Sequence, residues 1–448
     1  MIAFGAGADS ARRRHDFRLF WIGGAANLLG SHASALVLPI LVLAVGGTPM
    51  TAGLVGTAGG LVEVLFRPIA GVYADRGSRR RLMAVAALVA AAAMGAIAIG
   101  AATGTASLPL LLIAAVVEGL AAACYAAAAS GGIKAVLPAE SPESALGALQ
   151  AREQGARLAG PGIGGALYQL AAWVPFLVDA LSYLVAALCA RGMRSELRAD
   201  RDPSTPPDVR RGFRREFGSG LRFLWSRPFL RFVSLWAAGL NLIVGALYFQ
   251  VILHARIDGW SAAVLGLVLS VAGAAGLAGA LTAPMVLRRF RPSLLVVVVS
   301  WVIAAVVLAF AVVSSAVGVG VLLALVSFLT PALSIVFQSK AIMMTPDRLQ
   351  GRVGTAIGTL GEGTAALAPL LAGALVTVLS PAQNAVVLAA GLVLLALYAT
   401  VSVRAATAAV EPEFVAEPGS GRAGEPAAGA EPVAGPPAGQ SRSTSVEE

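Results

Sequence analysis

The chain has 448 residues, of which 57% are hydrophobic and only 13% are charged. A soluble globular protein carries about a quarter charged residues, so this composition excludes that class. The formal net charge of +9 would suit a nucleic-acid partner, but the basic residues stand in clusters between long apolar stretches, which argues against one. The composition therefore indicates a protein that lies in a lipid bilayer.

Twelve stretches are long and apolar enough to cross a membrane as helices. Their apolar residues are continuous and do not alternate with polar ones, which excludes a transmembrane β-barrel. The sequence therefore predicts an all-α polytopic membrane protein with twelve transmembrane helices. In chain order the predicted spans are residues 17–45, 51–74, 82–102, 108–133, 145–170, 172–191, 229–254, 261–287, 292–315, 317–344, 352–378 and 381–403.

The basic residues crowd into every second loop, and only Arg256 breaks the pattern. Loops rich in lysine and arginine stay in the cytoplasm. We therefore expect a multi-pass protein of the cell membrane with both termini in the cytoplasm. The basic clusters are Arg12–Arg14, Arg76–Arg81, Lys134–Arg152, Arg191–Arg231, Arg288–Arg291 and Lys340–Arg352.

The chain divides into two similar halves. The same spacing separates Pro138 from Pro346 and Pro161 from Pro369. Two similar six-helix bundles in one chain are the layout of a transporter with a substrate site between them. The predicted segments are a cytoplasmic N-terminal segment (1–16), a six-helix bundle (17–191), a cytoplasmic central loop (192–228), a second six-helix bundle (229–403) and a disordered cytoplasmic tail (404–448).

Residues 71–81 read GVYADRGSRRR and follow the second predicted helix. This stretch resembles the signature loop of the major facilitator superfamily, although Ser78 stands where the family has glycine. The resemblance implies the superfamily fold, with two pseudo-symmetric six-helix bundles. It also implies a conformational latch, in which Asp75 docks near the start of the eleventh helix when the cytoplasmic side is closed. The alternative is that the arginines only set the membrane topology and contact lipid headgroups, which is the favoured interpretation for Arg81. The residues that match are Gly71, Asp75, Arg76, Arg79 and Arg80.

The fifth predicted helix contains ARLAGPGIGG, which resembles the antiporter motif of the same superfamily. Small residues let helices approach closely within lipid, and a plain packing seam is the alternative reading. The matching residues are Arg157, Gly160, Pro161, Gly164 and Gly165.

The resemblance also extends to a branch of the superfamily, to the direction of transport and to the packing of the motif. FRLFW, YADRGSRRRL and ARLAGPGIGG together look most like the branch of siderophore and macrolide or multidrug exporters. The antiporter-type motif implies proton-coupled export. A run of small residues at 272–280 in the eighth helix is the predicted packing partner of that motif.

Ionisable residues inside the helices are candidates for proton coupling, because each costs at least ~2.5–3.5 kcal/mol at a helix centre. Glu63 and Arg67 are neighbours on one helical face. If the second and eleventh helices meet, Glu362 would compete with Glu63 for Arg67, and sharing one arginine would raise the proton affinity of one carboxylate. A purely structural pair is the alternative. Glu118 has no local partner in sequence and is a further candidate.

In the superfamily the substrate cavity is lined by helices 1, 4, 7 and 10. Here these helices carry aligned polar or aromatic positions, which suit a bulky, mostly apolar ligand held by a few polar groups. Each of them is alternatively an ordinary interhelical hydrogen bond. The cavity candidates are Asn27, Ser31, Glu118, Tyr125, Asn241, Tyr248, Ser334 and Phe337.

The favoured hypothesis is a secondary transporter, acting as a monomer, that exports amphipathic small molecules such as antibiotics, siderophores or other secondary metabolites in exchange for protons. A nutrient importer on the same fold, or a membrane sensor or scaffold that transports nothing, are the alternatives. No metal or cofactor site is expected, because the two cysteines and three histidines have no metal-ligand spacing. No enzyme activity is expected either, because the helices carry no nucleophile–base spacing.

Overall fold

A computed structural model describes residues 2–138, 141–195, 218, 221–343, 345 and 347–410. Within these residues, the secondary-structure elements are all α-helices. They are α1 (Ile2–Ala44), α2 (Pro49–Arg76), α3 (Arg79–Thr103), α4 (Leu108–Val136), α5 (Pro142–Leu170), α6 (Val174–Gly192), α7 (Pro228–Ile257), α8 (Ala262–Arg289), α9 (Pro292–Ala309), α10 (Ala316–Met343), α11 (Asp347–Val378) and α12 (Pro381–Val410).

Each of the twelve predicted spans coincides with one of these helices. Ten of them are long and apolar enough to cross a membrane. Helix α5 falls outside that group because charged residues such as Arg152 and Glu153 interrupt it, and the described apolar part of α9, Leu294–Ala309, is short. The structure therefore confirms the predicted all-α membrane fold.

The predicted boundaries differ at both ends of the chain. Helix α1 begins at Ile2, so most of the predicted N-terminal segment is helical. The chain divides into two compact units, Met1–Ala405 and Ala406–Glu448. Of the second unit the structure describes only residues 406–410, the end of α12, and the rest of the predicted disordered tail lies outside the described residues. Most of the predicted central loop does so too, except for residues 192–195, 218 and 221–228.

Local signals in the sequence set several helix boundaries. At the start of α2, the Thr51 backbone N–H donates to Thr48 Oγ1 over 3.2 Å, and the Thr48 N–H donates to Thr51 Oγ1 over 2.8 Å. This reciprocal pair satisfies backbone donors that a helix start leaves unpaired. Helix α3 is followed by Gly104, whose φ of 71° is a left-handed conformation that glycine adopts without strain.

The helices form two bundles. In the first, α1 packs on α5 and α6, α4 packs on α2 and α3, and α3 packs on α6. In the second, α10 packs on α8 and α9, and Phe232 of α7 contacts Tyr398 of α12 with ring centroids 5.1 Å apart. The bundles meet along two helix pairs, α2 with α11 and α5 with α8.

Both helix pairs are packed most closely at the end of the molecule opposite the basic clusters, which we call the arginine-poor end. In the α5–α8 seam, a Cβ atom added to Gly266 would lie 2.5 Å from the carbonyl O of Pro161, and one added to Gly165 would clash with the backbone of Ala262. In the α2–α11 seam, Gly53 has the same relation to Pro369. Only glycine permits backbones to approach this closely.

A hydrogen bond reinforces the α2–α11 seam. The backbone N–H of Leu370 donates to Thr57 Oγ1 over 3.0 Å, and Thr57 is buried. Leu370 directly follows Pro369, which has no N–H of its own and weakens the helical hydrogen-bond ladder there. The bond therefore joins the bundles at a point where α11 is locally irregular.

Toward the other end, which we call the arginine-rich end, the same helices move apart. Cβ atoms added to Gly71 of α2, or to Gly354 and Gly358 of α11, would meet no atom within 4 Å, and the same is true of Gly155 on α5. The two bundles therefore enclose a cleft that opens at the arginine-rich end.

The antiporter-type motif packs on α8, as predicted, but mainly against residues that precede the predicted run at 272–280. Of the run at 272–280, Gly273 approaches Leu158 of α5, but Gly276 and Gly279 face α10. The α5 motif instead packs on the start of α8, at Ala262 and Gly266. The reason is helix crossing: α8 diverges from α5 toward the arginine-rich end, so its later glycines pack inside the second bundle.

Candidate functional site

The signature loop ties together helix ends of the first bundle. Arg79 donates to the backbone carbonyl of Gly131 on α4 over 2.7 Å, and Arg80 donates to that of Met193, just after α6, over 2.6 Å. A guanidinium group carries five N–H donors, so it can bond carbonyl oxygens near the ends of neighbouring helices. The loop thus links the arginine-rich ends of α2, α3, α4 and α6.

Asp75, the predicted latch, pairs within its own loop. Arg79 Nη2 donates to Asp75 Oδ1 over 2.9 Å, and the Asp75 side chain is 64% exposed. Gly71 lies one turn before Asp75 and faces open space. Docking of Asp75 at α11 is therefore not formed in this conformation, because the arginine-rich ends of α2 and α11 stand apart. Arg76 is exposed beside it.

Arg67 lies where the α2–α11 seam begins to open, and it contacts carboxylates of both bundles. Its Nη2 donates to Glu63 Oε1 on the same helix over 2.7 Å, and its Nη1 donates to Glu362 Oε2 on α11. All three side chains are partly exposed, to between 31% and 51%. The expected competition of two carboxylates for Arg67 thus has a geometric basis, and the pair Arg67–Glu362 spans the two bundles.

The antiporter-type motif divides its glycines between two neighbours. A Cβ atom on Gly160 would clash with His32, and one on Gly164 with the backbone of Ala33, so these two glycines pack against α1 inside the first bundle. Gly165 packs across the bundle boundary on Ala262 of α8. The carbonyl of Pro161 also faces α8, so the second half of the motif forms the seam between bundles.

Arg157, the charged residue of that motif, donates to Glu153 Oε1 over 2.8 Å. Both side chains are more than 40% exposed. An exposed ion pair on one helix contributes little to stability. The pair lies at the end of the α5–α8 seam where the two helices move apart.

Glu118 is hydrogen-bonded inside the first bundle. Tyr183 of α6 donates its hydroxyl to Glu118 Oε1 over 2.8 Å, and the same hydroxyl lies 3.0 Å from Ser31 Oγ on α1. Ser31 in turn donates to the carbonyl of Asn27, whose own side-chain Oδ1 is buried without a partner among the described residues. Three cavity candidates therefore belong to one polar network that joins α1, α4 and α6.

A second carboxylate lies close to that network. Asp179 of α6 is 1% exposed and accepts from Ser34 Oγ over 2.5 Å and from Ser182 Oγ over 3.3 Å. Ser34 also donates to the carbonyl of Ser31 over 3.2 Å, which connects the two carboxylates. Asp179 and Tyr183 are absent from the predicted site, although a charged residue inside an apolar helix was the signal that could have selected Asp179.

The remaining cavity candidates separate into exposed and buried groups. Asn241 of α7 and Ser334 of α10 are exposed in the middle of their helices, and Asn241 lies against Gly361 of α11. Polar groups at that depth are placed toward a bundle interior or a water-filled cavity and away from lipid, which is compatible with a position on the cleft. Tyr248 instead bonds Ser327 of its own bundle.

Two aromatic candidates contribute to packing. Phe337 is 5% exposed, and its ring centroid lies 4.8 Å from that of Trp236 and 6.1 Å from that of Phe232. Tyr125 packs against Ala87 and neighbouring alanines of α3 and α6. Their sequence positions matched the cavity face, but helix rotation turns these rings into the bundle cores.

The described residues form twelve long helices in two bundles, with an arginine-bearing loop after α2 and seams at α2–α11 and α5–α8. This is the organisation of one transporter family. The model of the Major Facilitator Superfamily matches residues 20–369. The chain belongs to the major facilitator superfamily. It is therefore a multi-pass membrane transporter. No curated protein matches the sequence.

Solved structures of transporters resemble this member of the superfamily in fold. The nucleoside transporter NupG shares 11% identity with a TM-score of 0.70, covering 86% of this chain and 98% of that one. A bacterial homologue of the lysosomal transporter Spinster, inward-facing and unoccupied, shares 16% with a TM-score of 0.69 over 88% and 97%. A bacterial homologue of the iron transporter ferroportin, inward-facing, shares 17% with a TM-score of 0.67 over 87% and 98%. These identities show the fold alone.

Proposed function

We propose that this transporter exports amphipathic small molecules in exchange for protons, by alternating access of the cleft between its bundles. The observation that carries the proposal is Arg67, which contacts Glu63 in its own bundle and Glu362 in the other. An ion pair across the moving interface supplies what coupling requires, because its formation and rupture differ between the two states of the transporter.

In this mechanism a proton that binds Glu362 removes its charge and breaks its pair with Arg67, which leaves Arg67 to Glu63. The bundles then lose one attachment at the point where the α2–α11 seam opens. Release of the proton restores the pair. Glu118 and Asp179 are a second pair of candidates for proton binding, inside the first bundle. Glu118 accepts a hydrogen bond from Tyr183 of α6, and Asp179 accepts one from Ser34 of α1.

Two features support export as the proposed direction of transport. The arginine-rich end is the cytoplasmic end if the positive-inside rule holds, which places both termini in the cytoplasm of the cell membrane and makes the observed cleft inward-facing. A cleft open to the cytoplasm can load a substrate for export. The resemblance of Gly160–Gly165 to the antiporter motif, and of the chain to siderophore and macrolide exporters, supports export over import.

The substrate class is argued from the cleft. Asn241 and Ser334 are exposed polar groups between long apolar helices. Such a surface suits a bulky apolar molecule that makes a few hydrogen bonds, for example a lipophilic antibiotic, a siderophore or another secondary metabolite. The transporter is proposed to act as a monomer, since each chain contains both bundles and the cleft.

The test is accumulation of lipophilic antibiotics and siderophores in bacteria that lack their own exporters and express this chain, with and without an uncoupler. Glu362→Gln is the informative variant, because it removes the charge that joins Arg67 to the second bundle. Glu143→Gln is the matched control, since Glu143 is exposed near the start of α5. Membrane levels of each variant are measured by immunoblot.

We expect lower accumulation of some compound, abolished by the uncoupler, with the wild type and Glu143→Gln. Glu362→Gln is expected to lose the uncoupler-sensitive part. Higher accumulation would instead establish the importer. No change over the panel, together with a phenotype on deleting residues 405–448, would favour the sensor or scaffold.

A further inference from the structure

A cavity of about 390 Å³ lies on the outside of the first bundle, between the arginine-rich ends of α3 and α6, and is separate from the cleft. Its lining combines two chemistries. Ala84, Val85 and Leu88 of α3 form an apolar wall, and Arg80, Arg81 and Arg191 stand at the mouth. We call it the α3–α6 groove.

The apolar wall faces the lipid. Val85 is 57% exposed and Leu88 is 41% exposed, although both lie on a helix long and apolar enough to span a membrane. Leu188 of α6, one turn before Arg191, is 67% exposed. Large apolar side chains exposed on spanning helices pack against acyl chains, since no water reaches them there.

The arginines at the mouth have no carboxylate partner in the part of the chain that the structure describes. The described ion pairs involve Arg67, Arg79 and Arg157 instead. Asp75, the nearest acidic residue along the chain to Arg80 and Arg81, is paired with Arg79. Arg80 donates one N–H to the carbonyl of Met193 and keeps further donors on its guanidinium group.

We infer that the α3–α6 groove binds an anionic glycerophospholipid, with its phosphate held by Arg81, Arg191 and the free donors of Arg80. Guanidinium groups match phosphate geometry through paired N–H donors. Basic pockets between spanning helices at the cytoplasmic side are suited to anionic headgroups. A soluble anion would use the arginines alone, whereas the lipid also covers the exposed Val85 and Leu88. The inference is independent of the transported substrate.

The experiment titrates the detergent-purified full chain with dioleoylphosphatidylglycerol or dioleoylphosphatidylcholine and counts bound lipids by native mass spectrometry. Arg81→Gln/Arg191→Gln removes two charges from the groove and spares Arg80, which supports Met193. The matched control is Arg288→Gln/Arg289→Gln at the end of α8, where both arginines are exposed. It removes the same charge from the same end of the molecule.

We expect the wild type and the α8 control to bind one phosphatidylglycerol tightly, and the groove variant to bind it at least about tenfold more weakly. Equal binding by all three proteins would overturn the site. Equal binding of phosphatidylcholine would reduce it to an apolar groove. Displacement of phosphatidylglycerol by millimolar inorganic phosphate would assign it to a soluble anion and refute the lipid.

Discussion

Replacing Gly266 with alanine inserts a methyl group into the α5–α8 seam, where the two bundles touch. The new Cβ would lie 2.5 Å from the carbonyl O of Pro161 and 3.2 Å from the Cα of Gly165, both backbone atoms of the other bundle. Ordinary van der Waals contact begins near 3.4 Å. Backbone cannot rotate away as a flexible side chain does, so the helices must separate at the arginine-poor end.

Overpacking of this kind costs about 1–3 kcal/mol. Because the clash exists only while the seam is closed, it acts on the equilibrium between conformations. A shift of that size changes the population ratio by roughly five- to 150-fold. We therefore expect Gly266→Ala to favour the state in which the arginine-poor end is open.

Double electron–electron resonance measures this shift between spin labels at Thr105→Cys and Ser314→Cys, two exposed loop positions of different bundles at the arginine-poor end. The free cysteines Cys124 and Cys189 are first replaced by serine. A longer label distance is expected in Gly266→Ala. A distance distribution identical to that of the parent protein would refute the argument.

Two glycines of the same helix serve as controls. Gly279→Ala clashes inside the second bundle, 2.8 Å from the carbonyl C of Phe328, and is expected to lower thermal stability without changing the label distance. Gly276→Ala meets its nearest atom at 3.6 Å, an ordinary contact. It is expected to leave both measurements unchanged, which separates backbone clash from the general effect of adding a methyl group to α8.

Three further outcomes are expected. Asp75→Asn slows turnover but preserves substrate affinity, because Asp75 in this conformation pairs with Arg79 of its own loop and lies away from the cleft candidates; wild-type turnover would remove the latch hypothesis. Glu118→Gln weakens equilibrium binding of cationic substrates more than that of neutral ones, and equal affinities would exclude a charge contact with the substrate. Asp16 is fully buried and accepts hydrogen bonds from the backbone N–H groups of Arg194 and Ser195 over 2.9 and 2.7 Å. Asp16→Ala should therefore lower the free energy of unfolding by about 2 kcal/mol or more. An unchanged melting temperature in detergent would contradict this.

The positions of the helices were predictable from the sequence because hydropathy is a local property of the chain. Thr48 and Gly104 show that the ends are local as well, since a capping side chain or a left-handed glycine acts within one turn. The prediction was less accurate at α1, which continues to Ile2 through the basic cluster. The basic residues Arg12–Arg14 indicate where the chain enters the membrane, but the helix itself begins earlier.

The candidate site was predictable only in part. Glu63 and Arg67 are one turn apart, so their pairing follows from helical geometry. The contact of Arg67 with Glu362 rested on the superfamily resemblance, and the structure supplies its geometry. Asp179 and Tyr183 had no sequence signal for their partners, because Ser34 and Glu118 lie on other helices.

The sequence by itself determined that this protein spans a membrane, which of its segments form the long apolar helices, where its basic loops fall and which family it resembles. Those properties follow from the composition of consecutive residues and from a short motif. Only the tertiary structure decided that Gly266 and not Gly276 meets α5, that Phe337 packs in a bundle core, and that the cleft opens at the arginine-rich end. These depend on the rotation and crossing of helices far apart in the chain, where small changes in packing select among faces of similar hydrophobicity.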